Sequence, residues 1–214
     1  QRINDGYSAV MTALATGGDL DQIGARFNTP RRVIDPGDLT SQPPRPPVYE
    51  SDEEFRLRIP LAMEAISTAG PEGAYRYHAL AAHGEIKDVA VLSPLPGTIR
   101  LVLLTRSGDG TASAEVLGAV EAALIPKSQK KRPLCDTVTV DSAGLVTYSV
   151  RAVLHIPDGP DRALLLIAAE AELAAYTAAA HTLGGVVALS GLSGALHRPG
   201  CSRVTVQEPP ADII

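Results

Sequence analysis

Residues 86–125 place two apolar strands, a glycine turn and a helix in succession, and this order constrains the fold most. A strand covered by one amphipathic helix is the smallest unit that can bury one face of a sheet. A similar order returns later, where strands at 137–140 and 146–156 precede a turn at 158–161 and a helical pattern over 162–183. The sequence therefore predicts two strand–helix lobes.

The first lobe contains a nearly continuous apolar strand at 98–105, which predicts a central strand or one buried on both faces. Thr111 or Ser113 is expected to cap the helix that follows, with Glu115 in its first turn. In the second lobe we expect a short helix at 190–196 and a final strand at 201–207. The buried side of its long helix is predicted to carry Leu164, Ala168, Ala171 and Ala175.

Helical patterns dominate the chain before these lobes. Ser51 and Glu54 have the spacing of a capping box, which predicts a helix start. Pro60 interrupts the pattern that follows and predicts a kink or a later start. The apolar positions of three expected helical faces are Phe55, Ile59, Met63 and Ile66; Val10, Met11 and Leu14; and Leu20, Ile23 and Phe27. Asp19 is a candidate N-cap of the last of these helices.

We expect an α+β protein with a helical N-terminal portion followed by two small ββα-type lobes with mixed sheets. Its expected segments are an N-terminal helical segment (1–34) that ends in a short strand at 32–34, a proline-rich connector (35–50), a helical hairpin (51–85), a first α+β lobe (86–132) and a second α+β lobe with the C-terminal tail (133–214).

Two segments are predicted to reach outward. Four prolines between residues 43 and 47 favour an extended, semi-rigid strap that contacts a neighbour. The tail at 208–214 is polar with an apolar end, which is typical of a docking element. Its deletion is expected to impair assembly without unfolding the lobes.

Composition excludes several classes of function. The formal net charge of -5 argues against broad binding to nucleic acid or membrane surfaces. No apolar run approaches the roughly 20 residues that span a bilayer, and no signal peptide is recognisable. The basic run at 127–132 is interpreted as a solvated linker or as a patch for an acidic partner. Because the first residue is Gln1, we expect a fragment or a processed form.

The sequence offers few candidates for chemistry. Two cysteines, Cys135 and Cys201, are too few for a disulfide framework and are expected to be buried in a reducing compartment. The histidines do not form a metal-binding helical pair, so no metal site is predicted. The five histidines are His78, His83, His155, His181 and His197.

The loop at 106–111 is the best candidate for a phosphate site, because it is glycine-rich, follows a strand and precedes a helix. It lacks the lysine and the glycine spacing of a P-loop, so a plain strand-to-helix turn is the favoured interpretation. Residues 190–194 resemble a nucleophile elbow around Ser193, but the Gly-x-Ser-x-Gly pattern is absent. Asp109, Asp158 and Asp161 occupy turn positions that favour Asp for backbone reasons. We therefore predict no catalytic, cofactor-binding or metal-binding residues.

Three groups of segments follow one another in a distinctive order. They are VYESDEEFR (48–56) with STAGPEGAYR (67–76), then IKDV (86–89) with PG (96–97) and RSGDG (106–110), and finally VTVQEPPADII (204–214). Together they resemble the baseplate J-like family of contractile bacteriophage tails. The likeness covers essentially the whole chain after about residue 19. Pro60 departs from the helix former expected at that position.

The resemblance implies a structural protein of the baseplate wedge that is not an enzyme and needs no cofactor. It also implies partners: other wedge proteins and further copies of the same chain within a ring, with no nucleic acid, membrane or small-molecule substrate. The expected location is the virion tail baseplate, with assembly in the cytoplasm of the bacterial host. The alternative is a small-molecule or phosphate-binding enzyme domain that uses the 106–111 loop.

Overall fold

The structure is a computed structural model that describes residues 9–67, 70–126, 131–159 and 161–214. The chain divides into two compact units, an N-terminal unit of residues 1–144 and a C-terminal unit of residues 145–214. The first eight residues, residues 127–130 of the basic run at 127–132, and Pro160 of the predicted turn lie outside the described residues.

The N-terminal unit begins with helices and a small hairpin. Its first elements are α1 (Gly17–Arg26), β1 (Val33–Asp35), β2 (Val48–Tyr49), α2 (Asp52–Ala65) and α3 (Glu72–Ala82). Helix α1 starts from Thr16 as N-cap, so Asp19 lies in its first turn and the N-cap prediction is wrong. Leu20 and Ile23 are buried as expected, whereas Phe27 follows the last helical residue and is 40% exposed.

Helix α2 confirms the predicted capping box. Ser51 Oγ accepts from the backbone N–H of Glu54 at 3.3 Å, and a carboxylate oxygen of Glu54 accepts from the N–H of Ser51 at 3.2 Å. The helix then runs through Pro60 without ending. Its buried face holds Phe55, Arg58, Ile59 and Ala62.

Two groups of residues that were predicted to be buried are exposed. Met63 lies one residue past the buried face of α2, and Ile66 is the C-cap, so both reach solvent. Val10, Met11 and Leu14 are exposed because the chain turns away from helical geometry after residue 10.

The proline-rich connector folds back instead of extending. Strands β1 and β2 pair antiparallel, and Asp38 and Arg45 exchange two backbone hydrogen bonds of 2.8 Å. Gly37 adopts a φ of 67°, which glycine tolerates without strain. The prediction of an extended strap is wrong. Proline fixes φ and lacks an N–H donor, but the hydrogen bonds that close this loop use other residues.

A three-stranded mixed sheet follows, with strand order β3-β4-β5. Strand β3 (Ile86–Leu92) is antiparallel to β4 (Thr98–Thr105), and β5 (Thr137–Ser142) is parallel to β4. Helix α4 (Ala114–Leu124) forms the crossover between the two parallel strands. The prediction that the strand at 137–140 opens the second lobe is therefore wrong, because this crossover returns the chain to the edge of the first sheet.

The core of this unit lies between the sheet and helices α3 and α4. The central position of β4 is confirmed. The opposite face of the sheet is covered in part, since Leu104 is also buried. The opposite face carries an exposed ion pair in which Arg100 Nε lies 2.7 Å from Asp141 Oδ2. The buried core residues are Tyr75, Ala79, Leu80, Ile86, Val89, Leu101, Leu103, Ala112, Val116, Val120, Leu124, Val138 and Val140.

Tyr75 joins helix α3 to the segment before β5. Its hydroxyl donates to Asp136 Oδ2 at 2.6 Å. Burial, with the nearby carboxylate, raises the pKa of Tyr75. The phenol therefore remains a hydrogen-bond donor at neutral pH.

The C-terminal unit is smaller. It contains β6 (Arg151–His155), α5 (Arg162–Ala180), α6 (Leu189–Leu196) and β7 (Arg203–Glu208), with β6 antiparallel to β7. The short helix and the final strand are confirmed, whereas the strand predicted from residue 146 begins only at Arg151.

Helix α5 ends at Ala180, with His181 as its C-cap. Its buried residues are Leu165 and Ala169, so the predicted buried face is wrong. Leu164, Ala168, Ala171 and Ala175 are exposed, because α6 contacts a different side of the helix. Helices and mixed sheets together confirm the α+β class.

Candidate interaction surfaces

A buried ion pair fixes the junction between the hairpin and helix α2. Glu50 is 3% exposed, and Arg58 is buried beside it. The Glu50 carboxylate accepts from Arg58 Nε at 3.2 Å and from the backbone N–H of Arg32 at 2.8 Å. The Arg58 guanidinium also lies 5.4 Å from the centre of the Phe55 ring. Because Glu50 and Arg58 pair with groups inside the unit, they hold the hairpin and helix α2 in one arrangement.

Two further arginines extend this cluster. Arg31 contacts Asp21 Oδ1 at 2.9 Å and Asp52 Oδ1 at 2.7 Å, which ties α1 to the start of α2. Arg106 pairs with Glu54 and donates through Nε to the carbonyl of Gly84 at 3.1 Å. The loop after β4 is thereby joined to α2.

The cluster shifts the titration of two carboxylates. Burial opposes ionisation of Glu54, but the hydrogen bond and charge of Arg106 outweigh it, so the pKa of Glu54 lies below its ordinary value. The pKa of Asp52 is also lowered, by a backbone hydrogen bond from Gly17 and by Arg31. Both groups therefore stay charged at neutral pH.

The 106–111 loop is a closed turn. The N–H of Thr105 donates to Gly110 O at 2.9 Å, and Asp109 Oδ1 accepts from the N–H of Thr111 at 3.0 Å. Gly108 and Gly110 have φ values of 64° and 95°. The contacts agree with the interpretation as a strand-to-helix turn, because the loop's polar groups bond within the chain.

The helix cap lies beyond this loop. Ser113 is the N-cap of α4, and its Oγ accepts from Val116 N at 3.4 Å. Thr111 is therefore not the cap, although Glu115 lies in the first turn as predicted.

Within the part of the chain that the structure describes, reactive side chains do not gather at a common site. Among the described residues, no group of three or more His, Cys, Asp and Glu side chains could hold a metal ion. His155 lies 3.1 Å from Arg203 Nη2, at the edge of an open depression of about 370 Å³ near the end of β6. Burial lowers the pKa of His78, which keeps that imidazole neutral.

The remaining candidates have structural roles. Ser193 lies inside α6, where its backbone carbonyl accepts from His197 N at 3.0 Å, so no nucleophile elbow forms. Cys201 is buried and Cys135 is exposed. The prediction that both thiols are buried is therefore wrong for Cys135, which lies in a turn before β5.

The C-terminal tail is part of its unit. Val187 and Ile213 exchange two backbone hydrogen bonds, of 2.9 and 3.0 Å, and Asp212 Oδ1 accepts from Leu189 N at 2.8 Å. Ile214 is 91% exposed, and residues 210–212 are exposed as well. This pairing argues against the expectation that deletion of 208–214 leaves the fold intact.

Helix α5 carries the longest exposed apolar surface on any one described element. Leu164 is 66% exposed and Ile167 63% exposed. Three exposed alanines continue the same line along the helix. We define the α5 stripe as Leu164, Ile167, Ala171, Ala174 and Ala178.

The same helix is long and apolar enough to cross a membrane by length and composition alone. It has 19 residues and a mean hydropathy of 1.5 over its best window. The sequence-based statement that no apolar stretch approaches this length is therefore too strong. Such a helix is weak evidence for a membrane, because core helices of soluble proteins can pass the same test.

Comparison with known proteins identifies the family. Residues 1–38 match the baseplate J-like N-terminal domain, and residues 67–142 match the baseplate J-like central domain. Over all 214 residues the chain is 44% identical to baseplate protein J of Escherichia phage P2, and it covers 70% of that protein. The chain belongs to the baseplate J-like family. The resemblance inferred from the sequence segments is confirmed.

The family domains follow the observed architecture. The match to the baseplate J-like central domain ends at Ser142, which is also the last residue of β5. The C-terminal unit lies outside both domain matches but inside the 44% identical region. The α5 stripe thus belongs to a part of this baseplate J-like chain that neither domain match includes.

Two features of this family member were not predicted from its sequence. The buried pair of Glu50 and Arg58 could have been suspected, because Arg58 shares a face with Phe55, Ile59 and Ala62. The α5 stripe was hidden because the helix is apolar on several sides. Periodicity alone does not say which apolar side packs inside a unit.

Proposed function

We propose that this chain is a structural component of a contractile phage tail baseplate, in the wedge, and acts in baseplate assembly through protein–protein contacts. The observation that carries this proposal is the 44% identity to a phage P2 baseplate protein along the whole chain. The proposed location is the virion tail, with assembly in the host cytoplasm.

The proposed partners are other wedge proteins and further copies of this chain in a ring. Large apolar side chains are exposed in both units, including Leu57 and Ile66 in the first and Leu164 and Ile167 in the second. Protein interfaces commonly enclose such side chains within a polar rim. Contact by complementary surface area is the mode of action that these side chains support.

A catalytic role is not part of the proposal. The phosphate-site alternative requires free backbone amides and a free cation at the 106–111 loop. Arg106 pairs with Glu54, and the Thr111 amide bonds to Asp109. We expect Asp109→Ala and Thr111→Ala to lower stability only. Loss of phosphate binding by a still-folded variant, measured by calorimetry against the unchanged chain, would support the alternative instead.

The proposal is tested by measuring the mass of the chain by light scattering, alone and co-expressed with the other baseplate proteins of its phage. We expect a stable mixed complex, whose contacts crosslinking then maps. The matched control is Leu103→Asp, which places a charge in the sheet core and should abolish the complex by unfolding the N-terminal unit. A folded chain that stays monomeric beside those partners contradicts the proposal.

A further inference from the structure

The α5 stripe lies opposite the side of α5 that packs within its own unit. Its residues recur at intervals of three and four, which places them on one helical face. At 100° per residue, Leu165 and Ala169 fall on the other face, and these are the buried residues of the helix. Helix α5 is therefore apolar on two opposite sides. A helix of this kind is normally covered all round.

The stripe contains no charged residue, so its occupant must be apolar. Glu170 borders the stripe and Glu172 lies on the side of Leu165, both near the middle of the helix. A charged residue at the centre of a membrane span costs about 3 kcal/mol. These two glutamates favour a protein occupant over a lipid bilayer.

The sizes of the side chains indicate which protein fits. The stripe is large at its N-terminal end, with Leu164 and Ile167, and small at its C-terminal end, where alanines follow. A second α5 that runs antiparallel about a two-fold axis at Ala171 places Leu164 against Ala178 of the other copy. Ile167 then lies against Ala174 and Ala175 of the other copy. Large residues thus face small ones at both ends of the stripe, and Ala171 meets its own copy at the axis, which makes the contact self-complementary.

A parallel arrangement lacks this complementarity. It places Leu164 against its own copy at one end and Ala178 against its own copy at the other. The first contact is crowded and the second leaves a void, and both cost packing energy.

We propose that two copies of this chain pair through the α5 stripe, with their helices antiparallel about Ala171. This inference rests on the proposed self-association and names the surface that carries it. A helix of 19 residues is about 28 Å long, and a contact about 10 Å wide buries roughly 300 Å² per copy. Stable interfaces bury about 800 Å² per partner. The pair is therefore weak in dilute solution and gains strength where a ring holds copies close together.

Disulfide trapping tests the orientation in the full-length chain. The background is Cys135→Ser, because Cys135 is exposed, whereas Cys201 is buried. We expect Leu164→Cys and Ala178→Cys to form covalent dimers when combined in one chain, or when the two single variants are mixed. Each single variant alone should form few dimers. Efficient dimers from Leu164→Cys alone would overturn the antiparallel arrangement.

The matched control for trapping is Leu166→Cys. Leu166 is exposed on the same helix but lies outside the stripe. Its dimer yield should match that of the Cys135→Ser background. An equal yield from Leu166→Cys and from the paired variant would mean that the dimers form by random collision, and it would overturn the proposal.

Sedimentation equilibrium tests the energetics. Ile167→Asp buries a charge in the proposed contact and is expected to raise the dimer dissociation constant at least tenfold, whereas Leu166→Asp leaves it nearly unchanged. Circular dichroism checks that both variants keep their helix content. A dissociation constant that Ile167→Asp does not change overturns the inference.

Two other outcomes assign the stripe to a different occupant. A chain that stays monomeric at every concentration, but still forms the mixed complex unless Ile167 is replaced, gives the stripe to another protein and leaves the proposed function standing. Flotation of the unchanged chain with phosphatidylcholine vesicles, lost in Ile167→Asp, gives it to a membrane. Either result overturns pairing of two copies.

Discussion

The two units use the same ingredients but enclose them to different degrees. In the N-terminal unit, helices α3 and α4 cover one face of a three-stranded sheet and form a large buried core. In the C-terminal unit, a two-stranded sheet accompanies a 19-residue helix that buries only Leu165 and Ala169. A unit of about 70 residues rarely obtains more than 3–5 kcal/mol from a single core. The N-terminal unit therefore encloses a large core of its own, whereas the longest helix of the C-terminal unit leaves most of its apolar residues exposed.

The two units also differ in how deeply their ion pairs are buried. The N-terminal unit buries Glu50 with Arg58, whereas the C-terminal unit pairs Glu172 with Arg198 at 3.5 Å near its surface. Breaking a buried pair leaves an uncompensated charge, while an exposed pair contributes little. Breaking an ion pair should therefore destabilise the N-terminal unit more than the C-terminal unit.

The largest expected effect is that of Glu50→Gln. Because Arg58 loses its buried counter-charge, the free energy of unfolding of the N-terminal unit should fall by about 3–5 kcal/mol. The matched variant Glu172→Gln should change the C-terminal unit by less than about 1 kcal/mol. Urea unfolding followed by hydrogen exchange in peptides of each unit measures both.

The double variant Glu50→Gln with Arg58→Met sharpens this result. It removes both charges and should recover part of the lost stability, because no unpaired charge remains. Equal losses for Glu50→Gln and Glu172→Gln would contradict the electrostatic difference between the units.

The second prediction concerns the two cores. Leu101 in the sheet and Leu192 in α6 are both fully buried. Replacement of either by Ala should cost about 2–5 kcal/mol through lost contacts and a cavity. That loss should unfold the C-terminal unit but leave the N-terminal unit folded at 25 °C. Hydrogen exchange of each unit in the two variants measures this, and a C-terminal unit that stays folded in Leu192→Ala would show that its core is stronger than its length suggests.

The sequence predicted best where one local rule decides the outcome. The capping box at Ser51, the cap at Ser113 and the central strand at 98–105 follow from local spacing and hydrophobic runs. The predictions from sequence were wrong where contacts between distant segments decide between structures that the local sequence favours equally. Strand β5 joined the first sheet because α4 returns it beside β4, and α5 buried Leu165 instead of Leu164 because of where α6 packs.

The candidate surfaces show the same limit. The sequence predicted a plain turn at 106–111, since glycine and Asp suit turns for backbone reasons, and the hydrogen bonds inside the loop agree with that interpretation. It could not show that Arg106 reaches Glu54, because that contact joins segments about fifty residues apart. Nor could it distinguish an apolar face that packs inside a unit from one that remains open, as on α5.

The third prediction compares helix caps, which contribute locally in both units. Ser113 caps α4, and Asp161 caps α5 by accepting from Ala163 N at 2.9 Å. Replacement of either by Ala should cost about 1 kcal/mol. Thermal unfolding of the two variants should show similar free-energy losses, despite the different burial of the helices. A much smaller loss for Asp161→Ala would mean that the α5 terminus is frayed.

The smallest expected effect is the acid response of the junction around α2. The pKa values of Glu54 and Asp52 lie below their ordinary values of 4.5 and 3.8. The unfolded chain thus binds these protons at a higher pH than the folded chain does. The stabilisation is complete well above pH 4.5 and is lost as the pH falls below 3.8 towards the lowered values.

Removing the partner of Glu54 tests this acid response. Arg106→Gln should flatten the fall in unfolding free energy of the N-terminal unit below pH 4.5, measured by urea titration across that range. Arg100→Gln is the matched control, because Arg100 lies on the exposed face of the sheet and pairs with a different carboxylate. If Arg106→Gln keeps the full acid slope, the pairing with Glu54 does not set it. The closed arrangement of the N-terminal unit would then rest on its apolar core rather than on the charges around α2.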